Sequence, residues 1–410
     1  MDIQSIRNDF PILSDDRYIY FDNAATSQRP VQVLNAIEDF YRKTNANPLR
    51  GLYEWSIGAT DIYEEARHKA ARFIGASEDA EIIFVRNATE ALNLCAYSYG
   101  LSNLKKGDEI LITVMEHHSN ILPWQMVSRQ TGAVLKFIEP DKDGTITEEN
   151  LKTCINERTK LVAMAVVSNV LGVRNPVEKA SELVHANGGV LVADGAQSVP
   201  HIKTDVKALG ADFFAFSGHK MAGPMGIGAL YAKRELLEKM PPFLSGGEMI
   251  EYVTRESATY AELPHRFEAG TVNAAGAAGL GAAIDYLEGI GFDEIEAQDK
   301  KVTRIVYEGL KAMPHVHVYG SADPDKHSGI VTFNIDGCHP HDIASVLDSE
   351  HIAIRAGHHC AQPLMEYMQK ELDMEFRATA RASMYFYNTE EEAERFVEAA
   401  GKVRGYLGLE

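Results

Sequence analysis

The chain has 410 residues, 45% hydrophobic and 24% charged, an ordinary balance for a globular protein too long for a single hydrophobic core. A formal charge of −19 argues against nucleic acid as a partner, because phosphate backbones bind basic surfaces. The opening MDIQSIRNDFPIL has no basic leader, and the longest apolar run, LVAMAVV at 161–167, is far too short for a bilayer, so neither a signal peptide nor a membrane partner is expected. Cys95, Cys154, Cys338 and Cys360 are scattered, with no C-x-x-C pair. That spacing fits neither a disulfide framework nor a zinc or iron–sulfur site, and it predicts a reducing, cytoplasmic setting.

In chain order, residues 80–232 hold seven short apolar runs bounded by turn residues: EIIFV (81–85), EILITV (109–114), AVLKFI (133–138), LVAMAVV (161–167), GVLVAD (189–194), DFFAFS (212–217) and GIGALYA (226–232). Helix-compatible segments separate the first five. Continuous apolar strands alternating with helices predict an α/β fold with a mostly parallel sheet covered on both faces. The link from Ser217 to Gly226 is too short for a crossover helix, so the last strand should run antiparallel. From about residue 290 a helix (294–312) precedes four expected strands, HVHVYG, GIVTFNI, IAIRAG and ASMYFYN, with helices at PHDIASVLDSE and over the closing TEEEAERFVEAAGKVRGYLG. The expected organisation is a large domain at 20–288 and a small α+β domain from 1–19 and 289–410.

Ligands in open α/β sheets collect at the carboxyl ends of strands. After the first run, Asn87 and Glu90 have capping-box spacing, and Thr89 sits at a helix start suited to a phosphate. After the second come His117 and His118, adjacent and so pointing apart, one of them available to stack on a planar ligand. Asp194 ends a strand expected to be buried on both faces, where a carboxylate needs a cationic partner such as a protonated ring nitrogen. Lys220 lies in the glycine-rich link FSGHKMAGPMGIG, where burial and the adjacent His219 would lower its pKa and free its amine for a Schiff base. A phosphate cradle, a stacking ring, a ring-nitrogen carboxylate and a Schiff-base lysine together describe a site for pyridoxal 5'-phosphate.

The stretches DGAQSVPH, FSGHKMAGPMGIG, FEAGTVN and RAGHHCAQPLM resemble the class II cysteine desulfurases of the SufS type, in the class V aminotransferase-like group of PLP fold type I. The resemblance runs over nearly the whole chain and implies roles at matching positions. Lys220 would carry the cofactor and move the Cα proton. Asp194 would pair with the pyridine nitrogen, Gln197 would bond the ring oxygen, and His117 would stack on the ring. Thr89, Ser217 and His219 would hold the phosphate, with Thr271 reaching in from a second subunit of a homodimer. Asn169 and Arg381 would receive the substrate carboxylate, with Arg355 beside them. Cys360 would take sulfur from L-cysteine as a persulfide, leaving L-alanine.

The local sequence suits that last role. Only the thiolate is nucleophilic, and a free thiol (pKa ~8.5) is mostly protonated at neutral pH. Arg355, His358 and His359 are expected to favour the anion, and the other three cysteines to be structural. Two departures stand out: Leu49 precedes Arg50 where relatives read His-Arg-Gly, and the segment between Cys360 and Arg381 is a few residues longer than usual. The resemblance also implies a SufE- or SufU-like sulfur acceptor, iron–sulfur scaffold proteins and no bound metal. Competing readings on the same fold are a selenocysteine lyase acting on L-selenocysteine, a cysteine sulfinate desulfinase and an aminotransferase. The GHHC turn counts against the last. A reading from another class is a sulfur carrier without cofactor, with CHPHD (338–342) as a metal-like cluster.

Overall fold

A computed structural model describes residues 1–409. The seven runs form one sheet in the spatial order Ile82–Val85, Gly228–Ala232, Phe213–Ser217, Val190–Asp194, Thr159–Ala165, Glu109–Thr113, Val134–Ile138. All ladders are parallel except the two flanking Gly228–Ala232, so the reversed strand is the one that the short link demands. Strand alternation feeds two separate cores. Val190 and Val192 face one with Leu161 and Trp124, whereas Leu191 and Ala193 face the other with Val162 and Phe214.

Two glycines permit close approach at the strand ends. A Cβ on Gly195 would lie 2.0 Å from the Phe214 ring, and one on Gly228 would lie 2.5 Å from the Phe216 carbonyl oxygen and 3.0 Å from the Asn87 Cα. The second contact lets the helix that opens after Asn87 sit directly above the sheet.

A second, antiparallel sheet has the order Val316–Tyr319, Ile330–Ile335, Thr379–Ser383, Arg355–Gly357. Helices Phe292–Lys311, Pro340–Ser349 and Glu390–Tyr406 cover one face through Val302, Val306, Ile343, Leu347 and Phe396. In the stretch TARAS, Ala380 and Ala382 join that core, while Thr379, Arg381 and Ser383 alternate to the other face. That polar face meets the large sheet. Thr332 Oγ1 donates to the Val170 carbonyl, and Arg381 Nη1 donates to the Asn169 carbonyl at 2.7 Å.

Two expected strands fall differently. The run ASMYFYN contributes only its first residues to the Thr379–Ser383 strand, because Asn388 turns the chain back on Tyr385. Tyr385, Phe386 and Tyr387 then pack in the large core, with Phe10 against the latter two. The run IAIRAG splits: Ile352–Ala353 pairs in parallel with Ile19–Tyr20, and Arg355–Gly357 pairs with Thr379–Ser383. The N-terminal segment touches both regions, since Arg7 also bonds the Tyr387 carbonyl and pairs with Glu392, each at 2.9 Å. Among the described residues no helix is long and apolar enough to cross a membrane.

Candidate active site

The carboxyl ends of the large sheet and the polar face of the small one enclose a pocket. At its first corner Asn87 caps the helical run, its side-chain oxygen accepting from the Glu90 N–H at 3.0 Å. The capping box is incomplete: Glu90 accepts from the N–H of Arg86 rather than that of Asn87, and pairs with the Arg86 guanidinium at 2.9 Å. Ser217 Oγ accepts from the Ala88 N–H at 2.8 Å, and Thr89 Oγ1 lies 2.7 Å from Ser119 Oγ. Two hydroxyls beside the first N–H groups of a helix suit an anion.

The turn after Glu109–Thr113 supplies the ring-facing group. The Ser119 N–H donates to His117 Nδ1 at 3.1 Å, which leaves the ring proton on Nε2. Burial and the charge of Lys220 push the His117 pKa down to about 3, so the ring is neutral. Beneath it, Glu116 is fully buried and accepts from Thr113 Oγ1, Asn120 Nδ2 and the Ala165 N–H at 2.7, 2.6 and 2.9 Å. Burial pushes that carboxyl up to about 7. Sequence reading missed both Ser119 and Glu116; the polar spacing in TVMEHHSN gives no sign of which residues turn inward.

Asp194 is buried, accepts the Ala196 N–H at 2.9 Å and makes no ion pair among the described residues. Burial raises its pKa. Gln197 donates through Nε2 to the Ala24 carbonyl at 2.8 Å, and its buried Oε1 has no partner. Lys220 lies on the short turn Gly218–Lys220, with a pKa brought down to about 8. Burial is the main cause; Asp194 opposes it, while Arg381 and Arg355 add to it. His219 is not among the main causes, and it is itself held down to about 4 by burial and Lys220, so it is uncharged near neutral pH. Its carbonyl anchors the turn, accepting from Ser27 and Thr26.

The wall opposite comes from the small sheet. Arg381 is buried and touches Asp22 at 3.3 Å, but its Nε has no partner, and burial lowers its pKa to about 10. Arg355 stands directly across the ladder from Arg381 and makes no ion pair among the described residues. Like charges in register repel, so the pair suits an anionic ligand. Asn169 donates through Nδ2 to the His359 carbonyl at 2.8 Å.

Cys360 lines the same pocket. It and His359 both adopt left-handed backbone conformations, φ 56° and 50°, following Gly357 at φ 123°. Non-glycine residues rarely hold that conformation, and two in a row point to a loop whose shape the surroundings impose. His359 is buried, bonded through Nε2 to Thr379, and its pKa is well below the ordinary value because of burial. It therefore carries no positive charge to favour a thiolate, which corrects the expectation from sequence. His358 is exposed. Of the other cysteines, Cys95 and Cys338 are buried and Cys154 is half-buried.

Thr271 lies outside this pocket, exposed on another hollow, behind a buried Glu268 that binds Arg67, Tyr63 and the Phe84 N–H. Leu49 has φ 75°, and Arg50 pairs with Glu248 at 2.7 Å. The rings of His339 and His341 lie 5.3 Å apart, and among the described residues no three potential ligands cluster for a metal.

The profile of the aminotransferase class-V family matches residues 19–396. The chain is 51% identical to a probable cysteine desulfurase of Halalkalibacterium halodurans over 100% of its own length and 99% of the relative's. Its fold is similar to the apo cysteine desulfurase of Thermococcus onnurineus, with a TM-score of 0.93, 43% identity and 98% of each chain covered. It also resembles the Escherichia coli cysteine desulfurase CsdA in its S-sulfonic acid form, with a TM-score of 0.91, 35% identity and 99% of each chain covered. With that identity extending over its whole length, the chain belongs to the aminotransferase class-V family and, within it, to the cysteine desulfurases.

Proposed function

We propose that the protein is a pyridoxal 5'-phosphate-dependent cysteine desulfurase of the SufS type. It converts L-cysteine to L-alanine and holds the sulfur as a persulfide on Cys360. The observation that carries this reading is the convergence of Lys220, an unpaired buried Asp194 and Cys360 on one pocket. The residues fit the cofactor. Asp194 lacks the cation that a pyridinium supplies, the unpartnered Gln197 Oε1 is an acceptor for a ring hydroxyl, neutral His117 offers a flat face, and the Thr89–Ser217 corner suits the phosphate. His219 borders that corner. Thr271, exposed here, completes the phosphate site of a second copy in a homodimer.

When bound, the cofactor supplies an electron sink that acidifies the substrate Cα–H. The chain supplies the rest. Lys220 Nζ would hold the cofactor and is the base for the Cα proton; its lowered pKa keeps a useful fraction of the free amine uncharged near neutral pH. Arg381 and Arg355, with Asn169, orient the substrate carboxylate. Cys360 Sγ attacks the substrate sulfur as a thiolate. The carbon–sulfur bond breaks with its electron pair left on carbon, which takes a proton to give alanine, and the sulfur stays on Cys360.

We further propose a cytoplasmic setting, a SufE- or SufU-like acceptor and delivery to iron–sulfur scaffold proteins. We assign the large region to 20–288 and the small one to 1–19 and 289–410, each with its own sheet, with Phe10, Tyr385, Phe386 and Tyr387 crossing that boundary into the large core. His341 supports an acceptor surface beside the nucleophile, since its Nε2 lies 3.7 Å from where a Cβ of Gly357 would stand, with His339 next to it. Unchanged acceptor-stimulated turnover in His341→Ala would remove that residue from the surface.

The central test measures alanine and sulfide from L-cysteine with reductant. Wild type should make both. Cys360→Ala should stay yellow and inactive on cysteine, and Lys220→Ala should lose turnover. Efficient sulfur release from L-cysteine, or selenium release from added L-selenocysteine, by Cys360→Ala would favour a lyase, and a colourless, inert wild type would refute the site.

A further inference from the structure

His117 and His118 are neighbours in sequence but face different ways. His117 lines the pocket, whereas His118 does not. Instead, His118 grips the nucleophile loop at two points. Its backbone N–H donates to the Cys360 carbonyl at 2.7 Å, and its Nε2 accepts from the Gln362 N–H at 3.1 Å. The two bonds straddle Ala361. They fall on the carbonyl of the nucleophile itself and on the first residue of the Gln362–Glu371 helix.

The turn that bears His118 is rigid enough to act as an anchor. Glu116 and Asn120 lock it from below, and Asn120 Oδ1 in turn accepts from Trp124 Nε1 at 2.9 Å. On the other side of the loop, Asn169 holds the His359 carbonyl and Thr379 holds the His359 ring. The strained left-handed pair His359–Cys360 is thus held at each carbonyl by a group from the large-sheet side. The acceptor at Nε2 requires a neutral imidazole, and burial together with His358 lowers the His118 pKa.

The geometry points to His118 as a positioning residue that joins the turn carrying His117 to the loop carrying Cys360. The ring-facing histidine and the nucleophile then share one rigid frame, and Cys360 keeps a fixed approach to the substrate sulfur. This rests on the desulfurase reading only where activity is the readout.

Two isosteric substitutions separate the acceptor from mere bulk. Glutamine can present its amide oxygen where Nε2 stands, and asparagine only where Nδ1 stands. In the holoenzyme, hydrogen exchange of the loop amides between Gly357 and Gln362 should rise about tenfold in His118→Asn and stay near wild type in His118→Gln. The kcat for alanine formation should fall about tenfold in His118→Asn, with KM within about twofold and the yellow colour kept, and recover in His118→Gln. Wild-type exchange in His118→Asn would overturn the clamp. Faster exchange with unchanged kcat would overturn its role in positioning, and equal losses in both variants would overturn the acceptor at Nε2. If wild type makes no alanine, the desulfurase reading fails while the exchange measurement still decides the clamp.

Discussion

The two sides of the pocket are built by different means. The floor, with Asp194, Ser217 and the Lys220 turn, hangs from central strands of the large sheet whose ladders set it in place. The wall, with Arg355, His359, Cys360 and Arg381, comes from a short antiparallel sheet and a strained loop, tied to the floor by individual side-chain bonds. A floor set by strand register should tolerate loss of a side chain and keep its shape. A wall set by single bonds should lose position when one is cut.

Short of removing Cys360 or Lys220 themselves, the largest effect should come from the floor's unpaired charge. Asp194→Ala should lower kcat/KM by on the order of 10²–10³, the scale of stranding one member of a buried charged pair, while loop exchange stays at wild type. Spectra of the cofactor-loaded protein and steady-state kinetics check both halves. On the wall, Arg381→Ala should raise KM for cysteine by on the order of 10–100-fold, as expected for a lost hydrogen bond to a charged group. Arg355→Ala should do less, about tenfold at most, because its side chain is the less buried of the two. Equal effects would mean that the arginines share the anion evenly.

A pH experiment sharpens the picture of the floor. Only the uncharged Lys220 amine forms a Schiff base, and its pKa is about 8. The rate at which added pyridoxal 5'-phosphate restores yellow colour to the apoprotein should therefore climb about tenfold per pH unit below 8 and level off above it. His117, neutral above about pH 3, should add no second limb. A climb that continues past pH 10 would mean an ordinary, solvated lysine. The smallest effect should be structural. Gly228→Ala forces a Cβ to within 2.5 Å of a carbonyl oxygen and should cost about 1–3 kcal/mol in denaturant unfolding.

The same contrast explains what could be read from sequence. The seven large-sheet strands were legible because burial on both faces writes each as an apolar run, and Asp194 and Lys220 stood out as charges at the ends of such runs. Reading failed where tertiary contacts decide. IAIRAG is one apolar run but serves two sheets, because Ile19–Tyr20 claims its first half. His358 and His359 look alike beside Cys360, yet one is exposed and the other is buried against Thr379. Ser119 and Glu116 are ordinary polar residues until the fold turns them inward. Thr271 could be assigned only through the family resemblance, and it lies outside this chain's pocket.

The facing of Arg355 and Arg381 across a ladder also bears on what the enzyme leaves alone. Under the proposed reading, two cations in register have one carboxylate between them, Asp22 against Arg381, and free cysteine brings the second negative charge as its α-carboxylate. A cysteine inside a polypeptide has spent that group in a peptide bond and arrives neutral. The pocket would then discriminate metabolite from protein before any bond breaks, sparing the cell's own thiols, including Cys360 of a neighbouring copy.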